Sequence, residues 1–265
     1  MIEPSIRARL DQHVIAAQAK LYRAVANGSY EITSHWARGF SGLKIPTFNV
    51  FLPLTHEGLT DETLADTAAF FSSRETIYAI ELVHDRFPHG PDYLNQRRYQ
   101  PLPPQPAMYI AAPPENVWLN PEVTLERVST VPGLTALCSL LHAVFDFALT
   151  DLIKLYSAMQ LKDDLKNIIR HYLAFIDEKP VGTGTIICIN GAASIWNLCT
   201  LDEYRRQGVA TTLLQRMLSD AAASDCPQTM LYATPLAYNL FNKMGFDLFA
   251  QRQWFLPPEL NYEEE

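Results

Sequence analysis

The sequence predicts an α/β (α+β) protein with a mixed, mostly antiparallel central sheet flanked by helices. Apolar residues recur at helical spacing in several segments, β-forming runs alternate with them, and short turn sequences separate a late series of strands. With 48% hydrophobic and 19% charged residues, the chain is able to bury a core. Its 265 residues favour two domains, because one domain takes about 150 residues.

The first half predicts alternating helices and strands. Apolar residues recur every three or four positions from Ile6 to Val25, which is typical of an amphipathic helix, and Asn27-Gly28 ends it. The other elements expected here are a strand at 47–52, a helix that begins at Thr60 and reaches Phe71, a strand at 77–83, a short helix at 93–98 and a strand at 108–110.

Proline is concentrated where the two halves join. Seven of the 18 prolines lie between positions 101 and 121. Proline neither donates to a β-ladder nor continues a helix, so this density indicates an extended connection. We therefore predict one domain at 1–118 and a second at 119–265.

The second half predicts the element order β-α-α-β-β-β-α-β-α-β-β. Three strands, at 172–176, 181–189 and 193–200, are separated by Asp177-Glu178-Lys179-Pro180 and Asn190-Gly191, which are typical turns between antiparallel neighbours. The remaining elements are a strand at 123–128, helices at 132–145, 148–161, 208–223 and 235–244, and strands at 230–233, 246–249 and 253–256. This order predicts a mixed sheet with helices packed on it.

Charge and hydropathy disfavour several classes of function. Asp and Glu number 29 against 21 Lys and Arg, a formal net charge of −8, so we expect no nucleic-acid binding. The longest apolar stretch, 134–149, contains His142 and Asp146 and is shorter than the about 20 residues of a membrane span, so no membrane partner is expected. Charged residues near the start argue against a secretory signal and for a cytoplasmic protein.

The four cysteines are too widely spaced for a C-x-x-C pair, and we expect buried thiols and no metal site. No pair among Cys138, Cys188, Cys199 and Cys226 lies closer than 11 positions (199 − 188). The sequence therefore gives no sign of a zinc centre or a disulfide framework.

Residues 205–210, Arg-Arg-Gln-Gly-Val-Ala, lie between a predicted strand and a predicted helix. The first turn of a helix has unpaired N–H groups and a partial positive charge, and Gly208 lets an anion approach that backbone. Arg205 and Arg206 add positive charge. This segment is either a phosphate cradle or an ordinary loop with two solvated arginines.

Two segments together resemble the GCN5-related N-acetyltransferases, the GNAT superfamily. Arg205-x-x-Gly208-x-Ala210 is similar to that family's pyrophosphate-binding signature, Q/R-x-x-G-x-G/A. Residues 237–246, Ala-Tyr-Asn-Leu-Phe-Asn-Lys-Met-Gly-Phe, are similar to its A-x-x-L-Y-x-K-x-G-F segment. The resemblance implies a GNAT-like C-terminal domain. Asn49-Val50-Phe51-Leu52 and the elements after it resemble the smaller, degenerate N-terminal domain of tandem members, and that half lacks the R-x-x-G-x-G/A segment.

The resemblance implies direct transfer of an acetyl group from acetyl-CoA to an amine of a small molecule or peptide, with no metal. It leaves the acceptor and the oligomeric state open. The residues expected to bind the cofactor are Leu198, Cys199, Thr200, Arg205, Arg206, Gln207, Gly208, Val209, Ala210, Thr211, Thr234, Asn239, Phe241 and Asn242.

The two proton-transfer roles of such a reaction are not clearly filled. The base is expected to be a water held by Asn197 or Thr200, or a group from elsewhere such as His171 or Asp177. The family's usual acid is a tyrosine where this chain has Phe241. Tyr238, one helical turn earlier, is the expected substitute. If no acid is present, the alternative is a non-catalytic acetyl-CoA-binding sensor or scaffold.

Overall fold

The computed structural model describes residues 2–25, 27–160 and 165–258. In chain order the elements are α1 Pro4–Ala24, β1 Ser29–Ile32, β2 Trp36–Phe40, β3 Val50–Pro53, α2 Asp61–Ser72, β4 Ala79–Val83, α3 Gly90–Gln96, β5 Gln100–Pro101, β6 Gln105–Ile110, β7 Thr124–Arg127, α4 Val131–Phe145, α5 Leu149–Gln160, β8 Ile169–Ile176, β9 Lys179–Ile189, β10 Ala192–Thr200, α6 Val209–Ala222, β11 Gln228–Tyr232, α7 Tyr238–Lys243 and β12 Asp247–Leu256.

The chain divides into two compact units. The first unit combines residues 1–20 with 108–249, and the second combines 21–107 with 250–265. Each unit therefore takes in one end of the chain that a contiguous division would give to the other. The contiguous domains 1–118 and 119–265 stay a prediction, because compactness alone does not fix domain boundaries in the sequence.

The second unit is a small sheet with its own core. Its strands follow the order β1-β2-β3-β4-β12, in which β3 and β4 are parallel and the other neighbours are antiparallel. Thr60 caps α2, since its hydroxyl accepts from the Thr63 N–H at 3.2 Å. The largest fully buried side chains of this core are Phe51, Phe71, Phe87 and Phe255.

The first unit contains the longest strand, β9, with 11 residues. Its sheet follows the order β6-β11-β10-β9-β8-β7, with antiparallel neighbours from β10 to β7 and a parallel pair between β10 and β11. Helix α6 packs on this sheet through Leu213, Leu214 and Met217, which are all fully buried. The predicted fold class, a mixed and mostly antiparallel sheet flanked by helices, is confirmed.

Two glycines allow α6 to lie close to β9. A Cβ atom on Gly182 would lie 2.7 Å from Val209 Cγ1 and 2.9 Å from the Cys199 carbonyl oxygen. A Cβ atom on Gly184 would lie 2.8 Å from Met217 Cε. Real Cβ atoms do not approach other atoms this closely, and the Cys199 carbonyl is fixed backbone, so the start of α6 lies on β9 only because Gly182 has no side chain.

The first helix is fixed to the first unit by a buried hydrogen-bond chain. His13 is fully buried, and its Nδ1 lies 3.1 Å from the Ile189 carbonyl oxygen, which only accepts. Nδ1 is therefore the donor, and Nε2 accepts from the Ser194 hydroxyl at 2.9 Å. Ser194 Oγ in turn accepts from Trp196 Nε1 at 2.7 Å. Burial lowers the pKa of His13, which keeps the ring neutral and this chain intact.

The structure corrects several expected boundaries. The strand expected at 47–52 begins only at Val50, because Pro46–Phe48 form a 3-10 turn. The expected helix at 235–244 is limited to Tyr238–Lys243. Strands β1 and β2 were not expected. The strands expected at 246–249 and 253–256 are one strand, β12, whose exposed outer face includes polar residues that interrupt the apolar pattern.

The helix expected at 148–161 is α5, Leu149–Gln160, and position 161 lies outside the described residues. No helix in the described ranges is both long enough and apolar enough to cross a bilayer. Helix α4 is more apolar than α5. Thr130 caps α4, since its hydroxyl accepts from the Gly133 N–H at 3.2 Å.

The first prediction concerns the contact between α6 and β9. Replacing Gly182 with Val should destabilise the protein by about 1–3 kcal/mol, because the new side chain overlaps Val209 and the Cys199 carbonyl. Urea unfolding measures the change. Gly133→Val is the comparison, because it adds the same side chain where the Cβ would meet no backbone atom, and its nearest neighbour is the Thr130 hydroxyl at 3.3 Å. Equal stability of Gly182→Val and wild type would show that the contact is not tight.

Candidate functional site

Strand β10 carries a bulge near its carboxyl end. Trp196 pairs with Thr185 and Cys199 pairs with Thr183, so Asn197 and Leu198 together face the single residue Gly184. Asn197 has a φ of 54°, in the left-handed region that asparagine tolerates better than most residues. The bulge lies within the segment that the sequence assigns to the cofactor and to the base.

Just before the bulge, β10 loses its neighbour β11. The parallel ladder runs from Ala192 and Gln228 to Ile195 and Leu231, and over the described residues it goes no further, while β10 continues to Thr200. Among the described residues, the backbone edge of 196–200 therefore has no strand partner on this side. Thr200 Oγ1 is buried and has no hydrogen-bond partner in the described part of the chain.

The predicted cradle follows directly after this strand. A 3-10 turn at Asp202–Tyr204 leads into Arg206, with a φ of 65°, and Gly208, with a φ of 80°, which is the N-cap of α6. Within the described ranges, the backbone N–H groups of residues 206–211 have no acceptor. A series of unpaired N–H groups at the start of a 14-residue helix is suited to bind an anion.

The charged side chains around the cradle are exposed and partly paired. Arg205 Nη2 lies 2.5 Å from Asp202 Oδ1. Gln207 Nε2 donates to the Glu203 carbonyl oxygen at 3.0 Å, which closes the loop on itself. Arg206 is exposed. The cradle's positive potential thus comes mainly from the helix terminus, with Arg205 and Arg206 adding to it.

A segment of the proline-rich connection lies on the cradle. Asn120 Nδ2 donates to the Gln207 carbonyl oxygen at 2.8 Å. The ring of Trp118 is so near that a Cβ atom on Gly208 would lie 3.0 Å from its Cζ3. Sequence reasoning assigned this segment only a linker role, and the one signal that it does more is a tryptophan and an asparagine among prolines.

A buried polar cluster lies behind the bulge. Asn197 Nδ2 donates to the Tyr156 hydroxyl, which also interacts with Thr185. Thr185 Oγ1 lies 2.8 Å from His171 Nδ1, and the Tyr156 and His171 rings meet edge to face at 5.1 Å. Burial raises the pKa of Tyr156 and lowers the pKa of His171 to about 4. Both groups are therefore neutral near pH 7.

The structure thus joins two of the residues considered for the base, His171 and Asn197, through Tyr156 and Thr185. Asp177, the one carboxylate considered, lies exposed in the turn between β8 and β9 with a φ of 48°. Tyr156 was not among the residues that the sequence pointed to. Its helix spacing in α5 gives no hint that its hydroxyl reaches β10.

The remaining predicted residues fall into buried and exposed sets. Phe241 is 5% exposed and packs against Phe246, and Tyr238, the first residue of α7, is half-buried against the same core. Burial raises the pKa of Cys199 to about 12, which makes it a poor nucleophile. Thr234, Asn239 and Asn242 are exposed. At the start of α6, Val209 is buried, and Ala210 and Thr211 are half-buried.

Metal ligation has no candidate among the described residues, since no three His, Cys, Asp or Glu side chains come together as a possible ligand set.

Comparison with known proteins shows what this region is similar to. Residues 137–246 match the family model described as "Acetyltransferase (GNAT) family". An uncharacterized N-acetyltransferase of Bacillus subtilis, YjcF, is 25% identical over 92 residues, which are 35% of this chain and 66% of that protein. The matched part is therefore less than two thirds of the relative's length.

Solved structures are similar over nearly the whole chain. A GCN5-related N-acetyltransferase from Kribbella flavida has a TM-score of 0.73 at 14% identity, covering 99% of this chain and 98% of that one. A tandem GNAT protein from the clavulanic acid biosynthesis pathway has a TM-score of 0.58 at 10% identity, with coverages of 94% and 95%. Identities this low show the fold alone. The predicted GNAT resemblance is confirmed.

The second prediction concerns the neutral histidine of the polar cluster. Its pKa is 6.5 in the unfolded chain and about 4 when folded, so the unfolded state takes up the proton first as the pH falls. The contribution of neutral His171 to the free energy of unfolding is complete above pH 6.5. It is lost as the pH falls from 6.5 to about 4, at up to about 1.4 kcal/mol per pH unit. His171→Gln should reduce the fall in unfolding free energy over this range.

Urea unfolding at several pH values measures that slope. His142→Gln, which replaces an exposed histidine, is the control for loss of a histidine as such. If wild type and His171→Gln lose stability equally between pH 6.5 and 4, His171 is not held neutral by the fold.

Proposed function

We propose that this chain, which carries a domain of the acetyltransferase (GNAT) family at residues 137–246, transfers an acetyl group from acetyl-CoA to an amine of a small molecule or peptide by direct transfer. The family supports acetyl transfer in general terms. The cofactor, the acceptor and the residue roles are the proposal. The observation that carries it is that, among the residues the structure describes, the N–H groups of 206–211 have no acceptor and follow a strand whose edge is open.

The described residues fit the nucleotide end and the arm of coenzyme A. The N–H groups of 206–211 would bind the diphosphate, with Arg205 and Arg206 adding charge. The open edge of β10 at Leu198–Thr200 would pair with the pantetheine amides, and the Thr200 hydroxyl, buried without a partner, would gain one. Thr234, just before α7, and Asn239 and Asn242 within it are exposed and would complete the set of cofactor-binding residues.

Acetyl-CoA supplies the acetyl group as an activated thioester. The chain's part is to hold the reacting groups and stabilise charge: a backbone N–H near the bulge would donate to the carbonyl oxygen as it becomes negative. Asn197, fixed by its bond to Tyr156, would hold the water or the amine at the same place. The thiol Cys199 has no nucleophilic role, since burial raises its pKa to about 12.

The proton donor to the leaving thiolate is assigned to Tyr238. Phe241, at the family's tyrosine position, has no proton to give and its ring is buried in the core against Phe246. Tyr238 lies three residues earlier in α7 and is half-buried, and its hydroxyl is therefore the candidate donor in this helix.

The buried Phe241 also favours a second function. A protein that binds acetyl-CoA as a sensor or scaffold needs the cradle but no acid, and Phe241 matches that pattern. The acceptor of an active enzyme is best sought among cationic amines, because the net charge of −8 attracts them. A cytoplasmic location stays a prediction.

The third prediction tests the cradle. Gly208→Glu should abolish coenzyme A binding in calorimetry, because a carboxylate at the helix start repels the diphosphate and occupies its place. Gly191→Glu is the matched control: it imposes the same left-handed strain, with a φ of 74° against 80°, in a turn outside the cradle. Wild type should bind one coenzyme A per chain, since only residues 205–210 carry the signature. Unchanged affinity in folded Gly208→Glu would refute the proposed function.

The fourth prediction tests the acid. Tyr238→Phe should lower the maximal rate by about 100-fold with little change in cofactor affinity, which is the usual effect of removing a positioned acid. Phe241→Tyr is the comparison, and it should raise the rate if water serves as the donor instead. Steady-state kinetics with a panel of amines gives both rates. Tight acetyl-CoA binding without turnover of any amine would favour the sensor.

A further inference from the structure

Trp118 is exposed beside the cradle and is not explained by the fold. It is 68% exposed, whereas Trp254 is buried and Trp36 and Trp196 are half-buried. An exposed indole ring does not contribute its large apolar surface to the core, and tryptophan is enriched at binding surfaces. The position of the ring indicates what it binds.

The ring is held at the cradle by its own segment. On one side, Asn120 Nδ2 donates to the Gln207 carbonyl oxygen at 2.8 Å. On the other, Gln215 Nε2 of α6 donates to the Pro114 carbonyl oxygen at 3.1 Å. Between these two bonds, the edge of the Trp118 ring lies against Gly208, where the absence of a side chain makes room for it. The ring is thus positioned before any ligand binds.

We propose that Trp118 is the stacking surface for the adenine ring of coenzyme A. This rests on the proposed function, in which residues 206–211 bind the diphosphate. In coenzyme A, one ribose joins the adenine to that diphosphate, so the base lies within reach of the side chain that contacts Gly208. Adenine presents a flat π-face, and a tryptophan offers a matching one, which is a sequence-independent way to bind a base.

The opposite interpretation is that the ring covers the cradle and must move away before the diphosphate enters. The two interpretations predict opposite effects of Trp118 on ligand affinity. A stacking surface raises affinity for ligands that contain adenine, whereas a cover lowers affinity for every ligand with a diphosphate. The two bonds that hold the segment, from Asn120 and Gln215, favour a fixed platform.

Calorimetry on the full chain with two probes separates them. The probes are coenzyme A and 4′-phosphopantetheine, which has the arm and one phosphate but no adenosine. Trp118→Ala should weaken coenzyme A binding by about tenfold or more and leave phosphopantetheine binding unchanged. Trp118→Tyr, which keeps a stacking ring, should retain most of the affinity. Leu119→Ala, a neighbouring exposed apolar residue, is the matched control.

Tryptophan fluorescence gives a second readout that needs no turnover. Titration with coenzyme A, or with adenosine 3′,5′-bisphosphate, should quench the emission of wild type and of Trp36→Phe, and the quench should be lost in Trp118→Phe. Three results for Trp118→Ala would overturn the stacking role: an unchanged affinity for coenzyme A, an equal loss of affinity for both probes, or tighter binding. In each case the proposed function would still stand if wild type binds coenzyme A. If wild type binds neither coenzyme A nor the bisphosphate, both proposals fail.

Discussion

The close contact between α6 and β9 is the constraint on which the candidate site depends. Without a side chain at Gly182, Val209 in the first turn of α6 and the Cys199 carbonyl of β10 both lie close to β9, and Met217 in the third turn lies against Gly184. The start of the helix, whose N–H groups have no acceptor among the described residues, is therefore next to the end of β10. A larger side chain at Gly182 would meet both Val209 and the Cys199 carbonyl, so it would displace the start of α6 and the end of β10 together.

The bulge of β10 complements this contact from the other side of the strand. A left-handed residue at Asn197 redirects the strand, and β10 and β11 pair only up to Ile195 and Leu231. Asparagine bears this conformation at lower cost than most residues, and its amide is held by Tyr156 from α5. One helix thus positions the cradle and another fixes the bulge, so the open strand edge lies between two independently fixed points.

The sequence predicted the parts of this arrangement that follow from local chemistry. The Asn190-Gly191 turn and the Thr60 cap depend on neighbours in the chain, and the structure has both. It also places Gly208 at the N-cap of α6, while the role of this segment as a phosphate cradle stays a prediction. Strands β1 and β2 were missed because they are only four and five residues long, too short to give a strong period, although β1 pairs with β2, the next strand in the chain. The roles of Tyr156 and Trp118 depend on contacts across 41 and 90 positions, which no single-sequence pattern records.

The groups around the bulge share one electrostatic property, which bears on the proposed reaction. Burial lowers the pKa of His171 to about 4 and raises the pKa of Cys199 to about 12 and that of Tyr156 as well, so each is neutral near pH 7. Neutral, poorly hydrated surroundings disfavour an ammonium ion and favour the uncharged amine, the form that attacks a carbonyl. Under the proposed function, an acceptor amine bound beside these groups would be favoured in its uncharged form by desolvation, so β10 would need no carboxylate of its own.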